Sequence, residues 1–180
     1  MLTIDQLFKE MEMIKFQDFR KQYSEMLKAE DEEKERFQQV AEMIVCHFEK
    51  SLDLETPEYP FAFSNKPKDD DKLLRYVFIS DGQSNRRIGF NELNPDEKGV
   101  LSFCLCLTVD KSPISYPKKT LHSHLSLRRN GSGFTVTVGE DTLETDLNKS
   151  PTEKELMGIS EAAKRVMLIE LGRSTLKRKG

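Results

Sequence analysis

Two cysteines and two histidines alternate with apolar residues in neighbouring segments, and this pattern could hold a metal ion. Cys104 and Cys106 point to the same side of one predicted strand, and His122 and His124 point to the same side of the next. If the two strands pair as a hairpin, one register places the cysteines opposite or diagonal to the histidines. Two thiolates and two imidazoles can bind zinc. Such a centre would support a metal-dependent or histidine-dependent hydrolase.

The spacing of these residues argues against zinc. Alternate residues of one strand lie about 6.5 to 7 Å apart, and tetrahedral sulfur ligands must converge more closely than that. We therefore interpret Cys104 and Cys106 as small apolar fillers, predict no metal and no cofactor, and keep the zinc site as an alternative. The chain has 3 cysteines, too few for a disulfide framework, which indicates a reducing compartment.

Other motifs that could carry catalysis are incomplete. His124-Leu125-Ser126 has the His-x-Ser form of phosphoesterases that use two such motifs, but the sequence contains no second one. The glycines of Gly131-Ser132-Gly133 lie in a predicted hairpin turn, whereas a phosphate-binding loop leads from a strand into a helix. Because these signals do not converge on one centre, we predict that the protein is not an enzyme.

The first fifty residues have the periodicity of an amphipathic helix. An apolar stripe runs through Phe16, Phe19 and Tyr23, fades across the charged block 29–36, and resumes in phase at Phe37 and Ile44. The charged block could be the exposed middle of one long helix or the tip of a hairpin between two helices. We favour the hairpin, since a hairpin would bury its own apolar faces.

A sheet is predicted after a proline-containing connection. From Leu73 the apolar period changes from about 3.6 to 2, and turn-forming residues recur at short intervals. Because such short connections force antiparallel neighbours, we expect a meander of five to six strands. The candidate strands are Leu73–Ser80, Arg86–Phe90, Val100–Val109, Lys119–Arg128, Phe134–Val138 and Leu143–Leu147.

A C-terminal helix completes the predicted fold. Ser150 is the expected N-cap, Glu153 closes a capping box, and Gly172 is the expected end. The apolar face of this helix should pack on the sheet. The fold class is therefore α+β: an N-terminal helical hairpin or long helix, a mainly antiparallel β-meander, and the C-terminal helix. We divide the chain into a helical segment 1–52, a linker 53–72, and a sheet with its helix at 73–180, which could form one domain with 1–52.

Charge is divided unevenly along the chain. Residues 1–71 hold 18 acidic and 10 basic side chains, whereas residues 72–180 hold 13 acidic and 18 basic ones. The basic half could bind phosphate groups, so nucleic-acid binding is an alternative function. The residues that would carry this alternative are Arg128, Arg129, Lys177 and Arg178.

The primary prediction is a small cytoplasmic regulator or inhibitor that acts through protein contacts. The N-terminal helical segment has more apolar surface than a six-stranded sheet with its own helix needs, so a protein partner or a second copy should cover the surplus. The longest nearly apolar run is too short for a membrane span, so we expect no membrane contact. The predicted partner-binding residues are Phe16, Phe19, Tyr23, Glu30, Glu32, Glu33, Glu35, Phe37 and Ile44.

Overall fold

A computed structural model describes residues 14–61, 72–82, 86–140 and 143–176 of the chain. The chain divides into two compact units, Met1–Arg36 and Phe37–Gly180. Lys177 and Arg178, two of the predicted nucleic-acid contacts, lie outside the described residues. Within the described part, neither helix contains a stretch apolar enough to cross a membrane.

The N-terminal segment is one long helix, α1, that runs from Phe16 to Lys50 without a break. The long-helix alternative is therefore confirmed, and our preference for a hairpin was wrong. The charged block contains neither glycine nor proline, and its residues are good helix formers. Ion pairs one turn apart also join Lys28 to Glu32 and Arg36 to Glu33, both at 3.9 Å. Loss of the apolar stripe thus marks solvent exposure rather than a turn.

The strands form two antiparallel sheets. A two-stranded sheet pairs β1 with β2, and a six-stranded sheet has the order β4-β3-β5-β6-β7-β8. The predicted antiparallel sheet is confirmed, with one of its six segments, Leu73–Ser80, divided into two strands around Tyr76. The strands are β1 Glu58–Phe61, β2 Lys72–Arg75, β3 Val77–Ser80, β4 Arg87–Ile88, β5 Val100–Val109, β6 Lys119–Asn130, β7 Gly133–Val138 and β8 Leu143–Leu147.

The core of the second unit lies on one face of the six-stranded sheet. Strands β5 to β8 alternate, so every second side chain points to this face. The C-terminal half of α1 packs here, and the Phe37 ring meets the Phe134 ring edge-on with centroids 5.0 Å apart. The same core also buries Ile159, Ala163 and Met167 of the C-terminal helix, which confirms that this helix packs on the sheet.

The C-terminal helix, α2, runs from Glu153 to Leu176. Its capping box is formed by Thr152 and Glu155, two residues later than predicted. The Glu155 N–H donates to Thr152 Oγ1 at 3.3 Å, and the Thr152 N–H donates to Glu155 Oε2 at 2.6 Å. The helix also continues through Gly172, the predicted end, since a single glycine costs a helix only about 1 kcal/mol.

Two glycines should respond in opposite ways to replacement by alanine. A Cβ built on Gly133 in β7 would lie 2.0 Å from the carbonyl oxygen of Leu147, so we expect Gly133→Ala to lower the free energy of unfolding by about 1 to 3 kcal/mol. A Cβ on Gly158 of α2 meets no described atom within 4 Å, and Gly158→Ala should raise it by about 0.5 to 1 kcal/mol. Denaturant unfolding of both variants tests this. A shift in the same direction for the two would contradict it.

Candidate functional site

The cysteines and histidines meet across β5 and β6 in the register considered from sequence. Cys104 pairs with His124, and Cys106 pairs with His122. All four lie on the sheet face opposite the core, since their neighbours Phe103, Leu105 and Leu125 point into it. The prediction that these four side chains share one face of the sheet is thus confirmed.

The Cys104 and Cys106 thiols form a buried pair. The Cys106 thiol lies 3.5 Å from the Ser80 hydroxyl and donates to the Cys104 carbonyl oxygen at 3.7 Å. A hydrogen bond between the two thiols, together with burial, raises the pKa of Cys104 above its ordinary value, while the same hydrogen bond lowers the pKa of Cys106, so the pair loses one proton far more readily than two. Metal binding needs thiolates. Among the residues that the structure describes, no three histidine, cysteine or acidic side chains are grouped so that they could hold a metal ion, so we do not propose a zinc site here.

The two histidines have separate surroundings. The backbone N–H of His122 donates to Glu170 Oε2 of α2 at 2.8 Å, and its ring Nδ1 lies 3.7 Å from Glu170 Oε1. His124 is exposed beside Gly82. It lines a shallow cavity of about 290 Å³ together with Asp81, Ser102, Ser126 and Thr137, and Phe103 and Leu125 also contribute to the wall. The hydroxyl groups give this cavity hydrogen-bonding capacity, but His122 does not contribute to it.

The sheet face around Arg128 carries both signs of charge. Arg128 is exposed in β6, and it borders a small cavity that Glu144 also lines. Hydrogen bonds from Thr135 and Asn130, followed by the charge of Arg128, lower the pKa of Asp146 on the neighbouring edge. The Arg129 guanidinium lies 5.0 Å from the Phe134 ring centroid and donates to the Ser132 carbonyl oxygen at 3.3 Å. Neither arginine therefore belongs to a uniformly basic surface of the kind that phosphate backbones favour.

The first half of α1 carries five large apolar side chains that are open to solvent, and four of them form one stripe. Phe16, Phe19, Tyr23 and Met26 are 69%, 60%, 59% and 47% exposed. At spacings of three and four they share one face of the helix, and we name them the exposed stripe. The Arg20 guanidinium covers part of Phe16, 4.7 Å from its ring centroid. A contiguous exposed apolar strip of this kind is typical of an interaction surface.

The acidic residues predicted to bind a partner lie one to three turns after the exposed stripe. Glu30, Glu32 and Glu35 are exposed, and Glu33 is partly covered. Glu32 and Glu33 face Lys28 and Arg36 at ion-pair distance on the helix surface. Pairs this exposed contribute little to stability.

Two of the predicted partner-binding residues are part of the core. Phe37 and Ile44 are each 1% exposed, packed in the cluster between α1 and the sheet. They continue the helical phase of the exposed stripe, which is why sequence periodicity grouped them with it. Because their side chains are already covered within this subunit, we leave them out of the proposed partner surface.

A polar cluster around Tyr59 of β1 was not predicted from the sequence, and all of its members except Tyr116 are buried or partly buried. The Tyr76 hydroxyl donates to Asp110 Oδ2 at 2.9 Å, and Lys118 Nζ donates to the same oxygen. The Lys118 ammonium also lies 4.5 Å from the Tyr59 ring centroid and 5.2 Å from that of Tyr116. We name these five residues the Lys118 cluster. Burial and then the Asp110 hydrogen bond raise the pKa of Tyr76 to about 12.

No protein-family model, no curated protein and no solved structure matches this chain.

Proposed function

We propose that this protein is a cytoplasmic regulator or inhibitor that binds a protein partner through the exposed stripe of α1 and makes or breaks no covalent bond. The observation that supports this is the exposure of three aromatic side chains on one helix face, Phe16, Phe19 and Tyr23. Aromatic residues are enriched at interface cores because they bury a large area at a small entropic cost. An amphipathic helix that offers such anchors fits an apolar groove on a partner.

An acidic residue that follows the stripe along α1 would determine the direction in which the helix lies on its partner. Glu30 follows the apolar anchors on the same face of the helix, whereas Glu32 and Glu35 lie on the opposite face, so a partner groove with a basic side chain at the Glu30 end would fix the orientation of the helix. The three free cysteines agree with a reducing compartment. Nucleic-acid binding is not proposed, since the described sheet face carries acidic side chains beside Arg128.

A photo-reactive amino acid placed at Phe19 in the native host tests the proposal. We expect it to form one dominant adduct, whereas the same amino acid at Lys21, on the opposite side of the helix, should form none above background. The captured protein, once purified, should bind the wild-type chain and bind Phe19→Ala at least about tenfold more weakly. Equal adducts from both positions, or unchanged affinity for Phe19→Ala, would overturn the proposal.

A further inference from the structure

The outer surface of α2 carries an exposed apolar patch near its C-terminal end. Leu168 and Ile169 are 64% and 52% exposed, and Leu171 is also exposed, whereas the sheet-facing side of the same helix buries Ala163 and Met167 in the core. We name the three exposed residues the α2 patch. Large apolar side chains grouped within one turn of a helix are unfavourable in water, and a group of this kind is typical of a contact surface.

Basic residues surround the α2 patch. Arg165 lies one turn before Ile169 and Arg173 lies one turn after it, and both arginines are exposed. The sequence then continues with three further basic residues, Lys177, Arg178 and Lys179. From residue 164 to residue 180 the chain has six basic side chains and one acidic side chain. The acidic one, Glu170, is turned to the sheet, where its Oε2 accepts the His122 backbone N–H at 2.8 Å. Positive charge therefore dominates the surface around the patch.

From this combination we infer that the α2 patch and its basic neighbours bind an anionic lipid surface. Aliphatic side chains enter the boundary between the headgroups and the acyl chains, while flanking arginine and lysine side chains stay at the level of the lipid phosphates. One turn of apolar residues holds a protein only weakly, so the attraction of several bases to anionic lipids must add to it. The inference goes beyond the proposed function, which uses α1. It also reverses our expectation of no membrane contact, which rested on the length of the longest apolar run.

Nucleic acid would attract the same bases, but it leaves the apolar patch unexplained. Contacts to a phosphate backbone need charge alone, and single strands bind through aromatic side chains on which their bases stack. The α2 patch consists of leucine and isoleucine and has no aromatic ring. A lipid surface uses the aliphatic and the basic side chains together. Lys177 and Arg178, which the alternative function assigned to nucleic acid, therefore fit anionic lipid better.

Another exposed apolar residue of α2 has different surroundings and supplies a matched control. Met157 is as exposed as Ile169. Glu153, Lys154 and Glu161 lie within one turn of it, so the charge around Met157 is net negative. Because anionic lipid repels such a surface, we expect only the C-terminal end of α2 to touch the membrane.

Co-sedimentation of the full chain with lipid vesicles tests the inference. We expect binding to vesicles made of equal parts of phosphatidylcholine and phosphatidylserine, no binding to phosphatidylcholine alone, and a steep loss of binding as salt is added. Leu168→Ser combined with Ile169→Ser should weaken binding at least about tenfold. Lys177→Ala combined with Arg178→Ala should weaken it by about the same factor. Met157→Ser should bind as the wild type does. Because the substituted side chains in α2 are exposed, the denaturant midpoint of each serine variant should stay at that of the wild type.

A fluorescent reporter tests which part of α2 meets the lipid. Gly172 is exposed one turn after Leu168, and a Cβ built there meets no described atom within 4 Å. An environment-sensitive dye on Gly172→Cys, in a background where the exposed Cys46 is replaced by serine, should shift to a shorter emission wavelength when the mixed vesicles are added. The same dye on Met157→Cys should show no shift.

Four results would overturn the inference. The first is a wild-type chain that does not bind the mixed vesicles, and the second is vesicle binding that the double serine variant retains in full. The third is an equal shift of the dye at positions 157 and 172. The fourth is binding to a double-stranded DNA probe that the double alanine variant loses and the double serine variant keeps, because the basic residues would then serve nucleic acid and the apolar patch would have no part in it.

Discussion

Replacement of Lys118 by methionine should lower the free energy of unfolding by about 3 to 5 kcal/mol. The Lys118 and Asp110 side chains are only 8% and 10% exposed, so the ion pair is shielded from water. Removal of the ammonium leaves the Asp110 carboxylate buried, with the Tyr76 hydroxyl as its remaining hydrogen-bond donor in the cluster. A buried charge that has lost its counter-charge is among the most destabilising changes to a folded protein.

An exposed ion pair is the matched control. Lys28 and Glu32 also lie at ion-pair distance, but their side chains are 78% and 54% exposed. Lys28→Met should therefore change stability by less than about 0.5 kcal/mol. If denaturant unfolding gave the two methionine variants equal effects, the buried character of the Lys118 cluster would be contradicted.

A double-mutant cycle separates the coupling energy of the Lys118–Asp110 ion pair from the contribution of side-chain packing. Asp110→Asn alone leaves the Lys118 ammonium buried without its counter-charge and should also destabilise the fold. The double variant should be more stable than the sum of the single losses predicts, because no uncompensated charge then remains. Additive losses would show that the two charges are not coupled.

Tyr76 makes the free energy of unfolding depend on pH in the alkaline range. Its pKa is raised from 10.0 to about 12, so the folded chain keeps a proton that the unfolded chain loses near pH 10. The stabilisation from Tyr76 is thus fully present below pH 10 and is lost as pH rises through 12. In Asp110→Asn the tyrosinate absorbance should appear at lower pH, though still above the ordinary value because burial remains.

The sequence predicted the elements of the sheet well because its signals are local. Strict alternation placed β5 at Val100–Val109 and β8 at Leu143–Leu147, with the bounds that the structure has. The pairing of Cys104 with His124 followed from the same alternation and a hairpin connection. The N-terminal capping box of α2 was harder to predict. Ser150 with Glu153 and Thr152 with Glu155 have identical spacing, and only the hydrogen bonds distinguish the two pairs.

The Lys118 cluster could not be predicted from sequence because its members are distant along the chain. Tyr59 lies in β1 and Tyr76 lies between β2 and β3, while Asp110 and Lys118 come from the loop between β5 and β6. Charge and hydropathy windows assign Lys118 to a basic pair with Lys119 at the surface. Only the folded structure shows that the Lys118 side chain is shielded from solvent.

Two phenylalanines of α1 that occupy the same helical phase should respond very differently to truncation. Phe37→Ala should lower the free energy of unfolding by about 3 to 5 kcal/mol, because the side chain is fully buried against Phe134 and leaves a cavity. Phe19→Ala removes an exposed ring and should change it by less than about 0.5 kcal/mol. Periodicity alone assigns both residues to one surface. The difference between the two variants therefore measures how much burial of the ring contributes to the free energy of unfolding.

The comparison must be made with the purified chain in the absence of a partner, because a bound partner would add stability by mass action. Under that condition Phe19→Ala and wild type should unfold at the same denaturant midpoint, and Phe37→Ala well below both. A large loss for Phe19→Ala would mean that the ring is covered within one subunit, and the partner surface proposed for α1 would then be wrong.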